Sequence, residues 1–134
     1  MSTYGFNSSQ YNINNELMDC LSELRFRSQG IIGAAIVSIE GLPIATMVLD
    51  AIDDTRFSAM TAAMLSLGER VAIELNKGVL KKILIEGEYG YIVSLQAGSD
   101  AVLTVNASSD VKLGLLFLDM QRIAEKVESL LTKM

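Results

Sequence analysis

The stretch Thr55–Lys77 decides the fold, and it reads TRFSAMTAAMLSLGERVAIELNK. Its large apolar residues follow one another by three or four positions, which is the spacing of one face of a helix. The pattern predicts a helix whose apolar side covers a sheet or binds a partner. The residues of this stripe are Phe57, Met60, Met64, Leu67, Val71 and Leu75.

The other side of this helix carries small residues where an ordinary amphipathic helix has Lys and Glu. No charged residue occurs between Phe57 and Gly68, so the middle of the helix has no face suited to water. We expect a second layer to cover it, either another helix of the chain or a second copy of the protein. The small residues, which permit a close approach of neighbouring backbone, are Ser58, Ala59, Ala62, Ala63 and Ser66.

The size and composition of the chain limit what it can be. Its 134 residues suit one domain. Charged residues make up 20% of the chain, against about 25% in an average globular protein, so we expect a partner to bury part of the surface. The net charge of −5 argues against nucleic acid and against anionic membranes, because both attract clustered Lys and Arg.

The chain offers few groups for catalysis or metal binding. It has no His and a single Cys, which excludes an ordinary zinc site, and no phosphate-binding Gly-Lys-Ser/Thr loop is present. Cys20 falls on the apolar side of a predicted helix, so we interpret it as a core thiol. We therefore predict no enzyme activity, no cofactor and no metal. Three residues, Arg56, Arg70 and Arg122, are conceivable arginine fingers, but a solvated helix face explains each of them better.

No targeting or membrane segment is expected. The first residues lack both a basic region and a continuous apolar run, so we predict a cytoplasmic protein without a signal peptide. The apolar stretch Gly30–Leu49 is interrupted by Glu40, Gly41 and Pro43, which a membrane-spanning helix tolerates poorly. Two strands joined by a turn explain this stretch better, and Pro43 suits an edge strand.

The rest of the chain divides into short segments. Residues 1–12 are polar and aperiodic and are predicted to be a mobile tail, followed by one domain at 13–134. A helix is expected from about Asn14 to Gly30, and the last helix opens between Ser108 and Asp110. Three β-rich runs precede that last helix and are expected to form a meander, and they are Leu80–Ile85, Tyr91–Gln96 and Ala101–Asn106.

The predicted order is αββαβββα, which indicates an α+β fold with one five-stranded antiparallel sheet and helices on both faces. In this order and spacing, the chain resembles the roadblock/dynein light chain family, whose fold is profilin-like. The bacterial MglB-type proteins and archaeal single-domain members are similar in length. The matching pieces are GAAIVSIEGLPIATM at 33–47, FSAMTAAMLSLGE at 57–69, the Gly87–Gly90 turn and VKLGLLFLDMQRIAEKVESLL at 111–131.

The resemblance implies that the run ending in Ile83-Leu84-Ile85 lies at an open edge of the sheet. Such an edge invites another strand, and pairing with the same strand of a second copy would bring the two Thr55–Lys77 helices together. The family assembles in this way, so we predict a homodimer. The predicted dimer interface consists of Met60, Ala63, Met64, Leu67, Lys81, Ile83 and Ile85.

The family resemblance also implies a function as a homodimeric adaptor that binds and regulates a small Ras-like GTPase. Whether such regulation means activation or nucleotide exchange stays open at this stage. A passive scaffold or light-chain subunit of a larger complex is the alternative. A ligand-sensing module would need convergent polar groups facing a cavity, and the sequence contains no such set.

Overall fold

A computed structural model describes residues 8–48 and 53–133. The structure confirms the expected order of three helices and five strands. They are α1 (Ser8–Arg27), β1 (Ile31–Ser38), β2 (Pro43–Val48), α2 (Asp54–Glu74), β3 (Ile83–Gly87), β4 (Gly90–Gln96), β5 (Ala101–Ser108) and α3 (Leu113–Leu131).

The five strands form one antiparallel sheet in the order β2-β1-β5-β4-β3. The three later strands form the predicted meander, and the first hairpin joins it through β1. Both β2 and β3 therefore lie at edges. Pro43, which cannot donate a ladder hydrogen bond, opens the edge strand β2.

One face of the sheet carries the main hydrophobic core, under α1 and α3. Leu17, Leu21 and Leu24 of α1 are fully buried there. Along α3 the buried residues recur every three or four positions, and they are Leu116, Met120, Ile123, Ala124 and Val127. Fully burying one such side chain contributes about 1.5–3 kcal/mol, so this layer dominates the stability of the fold.

The helix α2 covers the other face, and the structure decides which of its sides faces the sheet. Its buried residues are Ser58, Thr61 and Leu65, not the large apolar stripe. The small residues pack closely instead: a Cβ atom added to Gly41 in the β1–β2 turn would lie 3.3 Å from the Ala59 Cα atom. The apolar stripe is consequently turned sideways and outward, toward the β3 side of the sheet.

The limits of α2 follow from its sequence signals. The Asp53 side chain caps the first turn, accepting a hydrogen bond from the Thr55 amide at 2.9 Å. At the other end, Asn76 adopts a φ of 59°, and the Lys77 amide donates to the Ala72 carbonyl at 2.7 Å. This is a Schellman motif, in which a left-handed residue satisfies the last carbonyl groups of the helix.

Several predicted boundaries move. The first helix begins at Ser8, not near Asn14, because Ile13 extends the apolar stripe by one turn and packs against the core. Residues 8–12 of the predicted tail are thus helical, while residues 1–7 lie outside the described part of the chain. The last helix begins later than expected, at Leu113, and β3 is shifted to Ile83–Gly87.

Candidate interaction surface

The strand β3 is an open edge with little cover on either side. Its five residues are half-buried or exposed, and it pairs only with β4 among the described strands. Ile83 is paired with Ser94, and Ile85 is paired with Ile92. Residues paired in this way lie on the same face of the sheet, so the side chains of Ile83 and Ile85 both lie on the α2 face.

A groove of about 730 Å³ separates α2 from the strands β3 and β4. We call it the α2 groove. Most of its lining is apolar, and Asp53 and Arg56 at the start of α2 complete it. The lining residues from the helix are Phe57, Met60, Thr61 and Met64, and those from the strands are Ile85 and Ile92.

The flank of α2 beside this groove is unusually apolar for a solvent-facing surface. Met60 is 58% exposed and Leu67 is 64% exposed, while Val71 and Leu75 are exposed as well. A contiguous apolar surface of this kind typically marks a binding site in a monomeric domain. Two Met side chains in the groove suit such a role, because Met adapts to irregular surfaces.

The contact between α2 and the sheet depends on small and polar residues. Ser94 and Thr104 are fully buried beneath the helix, and their hydroxyl oxygens are hydrogen-bonded at 2.8 Å. Thr61 donates to the Phe57 carbonyl, but the buried Ser58 hydroxyl has no partner among the described residues. At the β2 side, the Thr46 hydroxyl donates to the Asp54 carboxylate at 2.8 Å and fixes the start of α2.

The structure brings together three of the seven predicted interface residues. Met60 and Met64 from α2 and Ile85 from β3 line the α2 groove. Ile83 packs under Gly68 of the same helix. Ala63 and Leu67 are exposed on α2, beside the groove.

Lys81 lies apart from this group. It precedes β3 and lines a different groove, on the α3 side of the sheet. Sequence reasoning also missed Ile92, which enters the α2 groove only because of its register with Ile85. The turn that pairs Gly87 with Gly90 fixes the register of this hairpin, so counting back from the turn is the signal that could have found Ile92.

The conceivable arginine fingers are all on solvated helix surfaces. Arg70 is paired with Glu74 and Arg122 with Asp119, each at 3.7 Å. Arg56 is exposed at the edge of the α2 groove and makes no ion pair with the described residues. It is the one of the three that a partner seated in the groove would contact.

The remaining titratable groups lie on the opposite side, between α1 and α3. Cys20 is buried, and desolvation raises the pKa of its thiol, as expected for a core residue. The Glu23 carboxylate accepts hydrogen bonds from Lys126 at 2.8 Å and from Arg27 at 3.1 Å. These bonds, chiefly the one from Lys126, hold the pKa of Glu23 below its usual range.

Within residues 8–48 and 53–133, no three His, Cys, Asp or Glu side chains converge as metal ligands. None of the helices in this part of the chain combines the length and the apolar character needed to cross a membrane.

Comparisons with known proteins agree with this architecture. The model of the Roadblock/LC7 domain matches residues 17–107. The chain belongs to the Roadblock/LC7 family. An uncharacterized protein of Methanocaldococcus jannaschii, MJ1340, is 35% identical over 104 residues, which are 78% of this chain and 90% of that protein. The family match ends before α3, so the last helix lies outside the matched segment.

Solved structures are similar in fold to nearly the whole of this chain, beyond the segment that the family model matches. The Roadblock/LC7 domain from Streptomyces avermitilis has a TM-score of 0.79 at 23% identity, covering 84% of this chain and 95% of that one. The gliding protein mglB from Thermus thermophilus has a TM-score of 0.82 at 16% identity, covering 99% of this chain and 98% of that one. At these identities the likeness concerns the fold, and it includes α3.

Proposed function

We propose that this roadblock protein is a cytoplasmic homodimeric adaptor that binds a small Ras-like GTPase and regulates its nucleotide cycle. One observation carries the proposal: the open edge β3 and the exposed apolar flank of α2 lie on the same side of the molecule. Ile83 and Ile85 belong to the edge, and Met60 and Met64 belong to the flank. A second copy can cover both at once.

The dimer follows from the needs of this surface. The free backbone N–H and C=O groups of β3 would pair with β3 of a second copy and continue the sheet through a two-fold axis. The same axis would bring the two α2 flanks together. Each large apolar side chain that is fully buried in the interface would stabilise the dimer by about 1.5–3 kcal/mol. Met60, Leu67 and Val71 are exposed in the single chain and could be buried in this way.

The resemblance of this chain to the roadblock family supports the GTPase proposal, because that resemblance implies a small GTPase as the partner. The mechanism we propose is regulation by binding: the chain has no His, and among the described residues no three His, Cys, Asp or Glu side chains converge as metal ligands. Arg56 and Asp53 lie at one end of the α2 groove. Their charged side chains would bind a GTPase that docks near the dimer axis. The roadblock protein itself carries out no chemistry in this account.

The test measures GTP hydrolysis and nucleotide exchange of small GTPases from the same organism, with and without the full chain. Each GTPase is first tested for binding by titration. We expect at least one that binds to change its hydrolysis or exchange rate by tenfold or more, and Arg56→Ala to reduce the change. If every GTPase that binds keeps both rates, the protein is a passive scaffold. If none binds, the GTPase proposal is wrong.

A further inference from the structure

A second groove lies on the other face of the sheet, beside α3. It has a volume of about 540 Å³ and forms within a single chain. We call it the α3 groove. One wall is a flank of α3, and the other is the segment 80–82 together with the end of β4. Its lining residues are Leu80, Lys81, Lys82, Leu95, Gln96, Gly114, Phe117, Leu118, Gln121, Ala124, Glu125 and Glu128.

The shape of the α3 groove suits a helix. The lining positions of α3 recur every three or four residues from Gly114 to Glu128, so the groove follows the helix for about 21 Å. Phe117 and Leu118 give it apolar surface, and Leu118 is 59% exposed, whereas Gln121 in the middle of the α3 wall and Gln96 are polar. Grooves of this kind bind the apolar face of an amphipathic helix.

The two walls carry opposite charges. Lys81 and Lys82 lie on the strand side, whereas Glu125 and Glu128 lie on the α3 side. None of the four makes an ion pair within the described part of the chain. Lys82 instead lies over the ring of Phe117, with its Nζ atom 4.6 Å from the ring centroid. The groove thus presents an apolar floor between a basic wall and an acidic wall.

We propose that the α3 groove binds an amphipathic helix of a partner protein, one with acidic residues along one flank of its apolar stripe and basic residues along the other. The acidic flank faces Lys81 and Lys82, and the basic flank faces Glu125 and Glu128. The charges of the walls give the site its specificity, because a helix with the same charge on both flanks is repelled by one wall.

This site is separate from the α2 groove, although Lys81 belongs to the predicted dimer interface and the segment 80–82 directly precedes the edge strand β3. The α3 groove lies on the face of the sheet where α3 contacts β4 and β5, opposite to α2. The adaptor would then hold two partners on its two faces. A failure of the dimer or of GTPase binding leaves this proposal standing, and the reverse is also true.

Three fluorescein-labelled synthetic helices of about 18 residues serve as probes, since that length slightly exceeds the groove. All have Leu along one face; one has a Glu flank and a Lys flank, one has Glu on both flanks, and one has Lys on both. Binding to the full chain is followed by anisotropy. We expect the mixed helix to bind at least ten times more tightly than either of the others. Preference for the all-Lys helix would overturn the proposal, since the net charge of −5 alone would then explain the result. Equal binding would overturn it too, since the two charged walls would then not discriminate between the helices.

Variants locate the site. The pair Glu125→Lys and Glu128→Lys makes both walls basic while the net charge, −5 plus 4, remains −1. We expect this variant to prefer the all-Glu helix, a preference that net charge does not explain. Leu118→Glu should weaken the mixed helix at least tenfold, whereas Leu115→Glu, equally exposed at 57% on the same helix but outside this groove, should not.

Two other outcomes would contradict the proposal. Binding of the mixed helix that survives Leu118→Glu would place the site elsewhere. An assembly larger than a dimer that Leu118→Glu disrupts would mean that a second copy of the chain, not a partner helix, occupies the groove.

Discussion

Gly68 of α2 lies directly against Ile83, the first residue of the edge strand β3. A Cβ atom added to Gly68 would come within 2.9 Å of the Ile83 Cδ1 atom and 3.3 Å of the Leu80 Cδ2 atom. The missing side chain therefore allows the helix to pack closely on the strand. Any partner that moves β3 also acts on α2 through this contact, so the edge and the helix form one surface.

Gly68→Ala should not give the stabilisation that a helical Gly→Ala change usually brings. Alanine is favoured over glycine inside a helix by about 1 kcal/mol, but here the Ile83 side chain must move to admit it. Gly114, in the first turn of α3, is the control for an added Cβ in open space, because it meets no other atom within 4 Å there, and its gain should be smaller than that of an interior position. Urea unfolding should show Gly114→Ala gaining up to ~1 kcal/mol and Gly68→Ala gaining less or losing stability. Equal gains would contradict the close contact.

Met64→Glu should separate the dimer and leave a folded monomer. Met64 is half-buried in the α2 groove, where a carboxylate would be enclosed by apolar side chains in the dimer. We expect the dissociation constant to rise at least about a hundredfold, since each ~1.4 kcal/mol is a factor of ten. Sedimentation velocity measures the change, and circular dichroism checks the fold.

Ile73→Glu is the control for this variant. Ile73 lies on the same helix and is 69% exposed, but it does not line the α2 groove. It should remain dimeric. If Ile73→Glu separates the copies and Met64→Glu does not, the interface is on the other flank of α2.

The buried pair of Ser94 and Thr104 should behave as a unit. Ser94→Ala leaves the Thr104 hydroxyl buried without its partner, which costs about 1–3 kcal/mol. Adding Thr104→Val removes the orphaned hydroxyl, so the double variant should recover most of that loss. Denaturant unfolding of both single variants and the double variant measures the coupling. Losses that simply add would mean that the two hydroxyls do not depend on each other.

The Glu23–Lys126 contact between α1 and α3 should make stability depend on pH. Because the pKa of Glu23 is lowered by folding, the contact stabilises the protein above the unfolded-state pKa, and this is lost as the pH falls through the folded-state value. Glu23→Gln should therefore lower the free energy of unfolding at neutral pH and have no effect once Glu23 is protonated. The free energies of unfolding of the wild type and of Glu23→Gln should differ by less than about 1 kcal/mol at neutral pH, because the Glu23–Lys126 pair is partly solvated. A difference that persists in acid would indicate lost packing instead.

Much of the fold could be predicted because its signals are local. The caps at Asp53 and Asn76, the stop at Gly30 and the stripe of α3 are each encoded by neighbouring residues. The order of the strands came from the family resemblance and from the edge signal of Pro43. The start of α1 was misjudged because the sequence of its first turns is largely polar, and Ile13 is the first side chain described there that packs against the core.

The orientation of α2 could not be predicted from its pattern alone. Periodicity identifies an apolar stripe, but it does not say whether that stripe faces the sheet or a partner. Here the sheet offers small and polar groups at Ala35, Thr104 and Ser94, so the small side of the helix fits it best. The large apolar residues are left for the surface, and this is why the groove was not foreseen.

The mass of the protein in solution is the most direct test of the proposed dimer. Light scattering coupled to gel filtration, at micromolar concentration and with the intact chain, should give about 29 kDa, which is twice the 14.5 kDa of one chain. Met64→Glu should reduce it to the mass of one chain. A wild-type mass of 14.5 kDa would mean that β3 and the α2 flank do not pair with a second copy, and it would contradict the account.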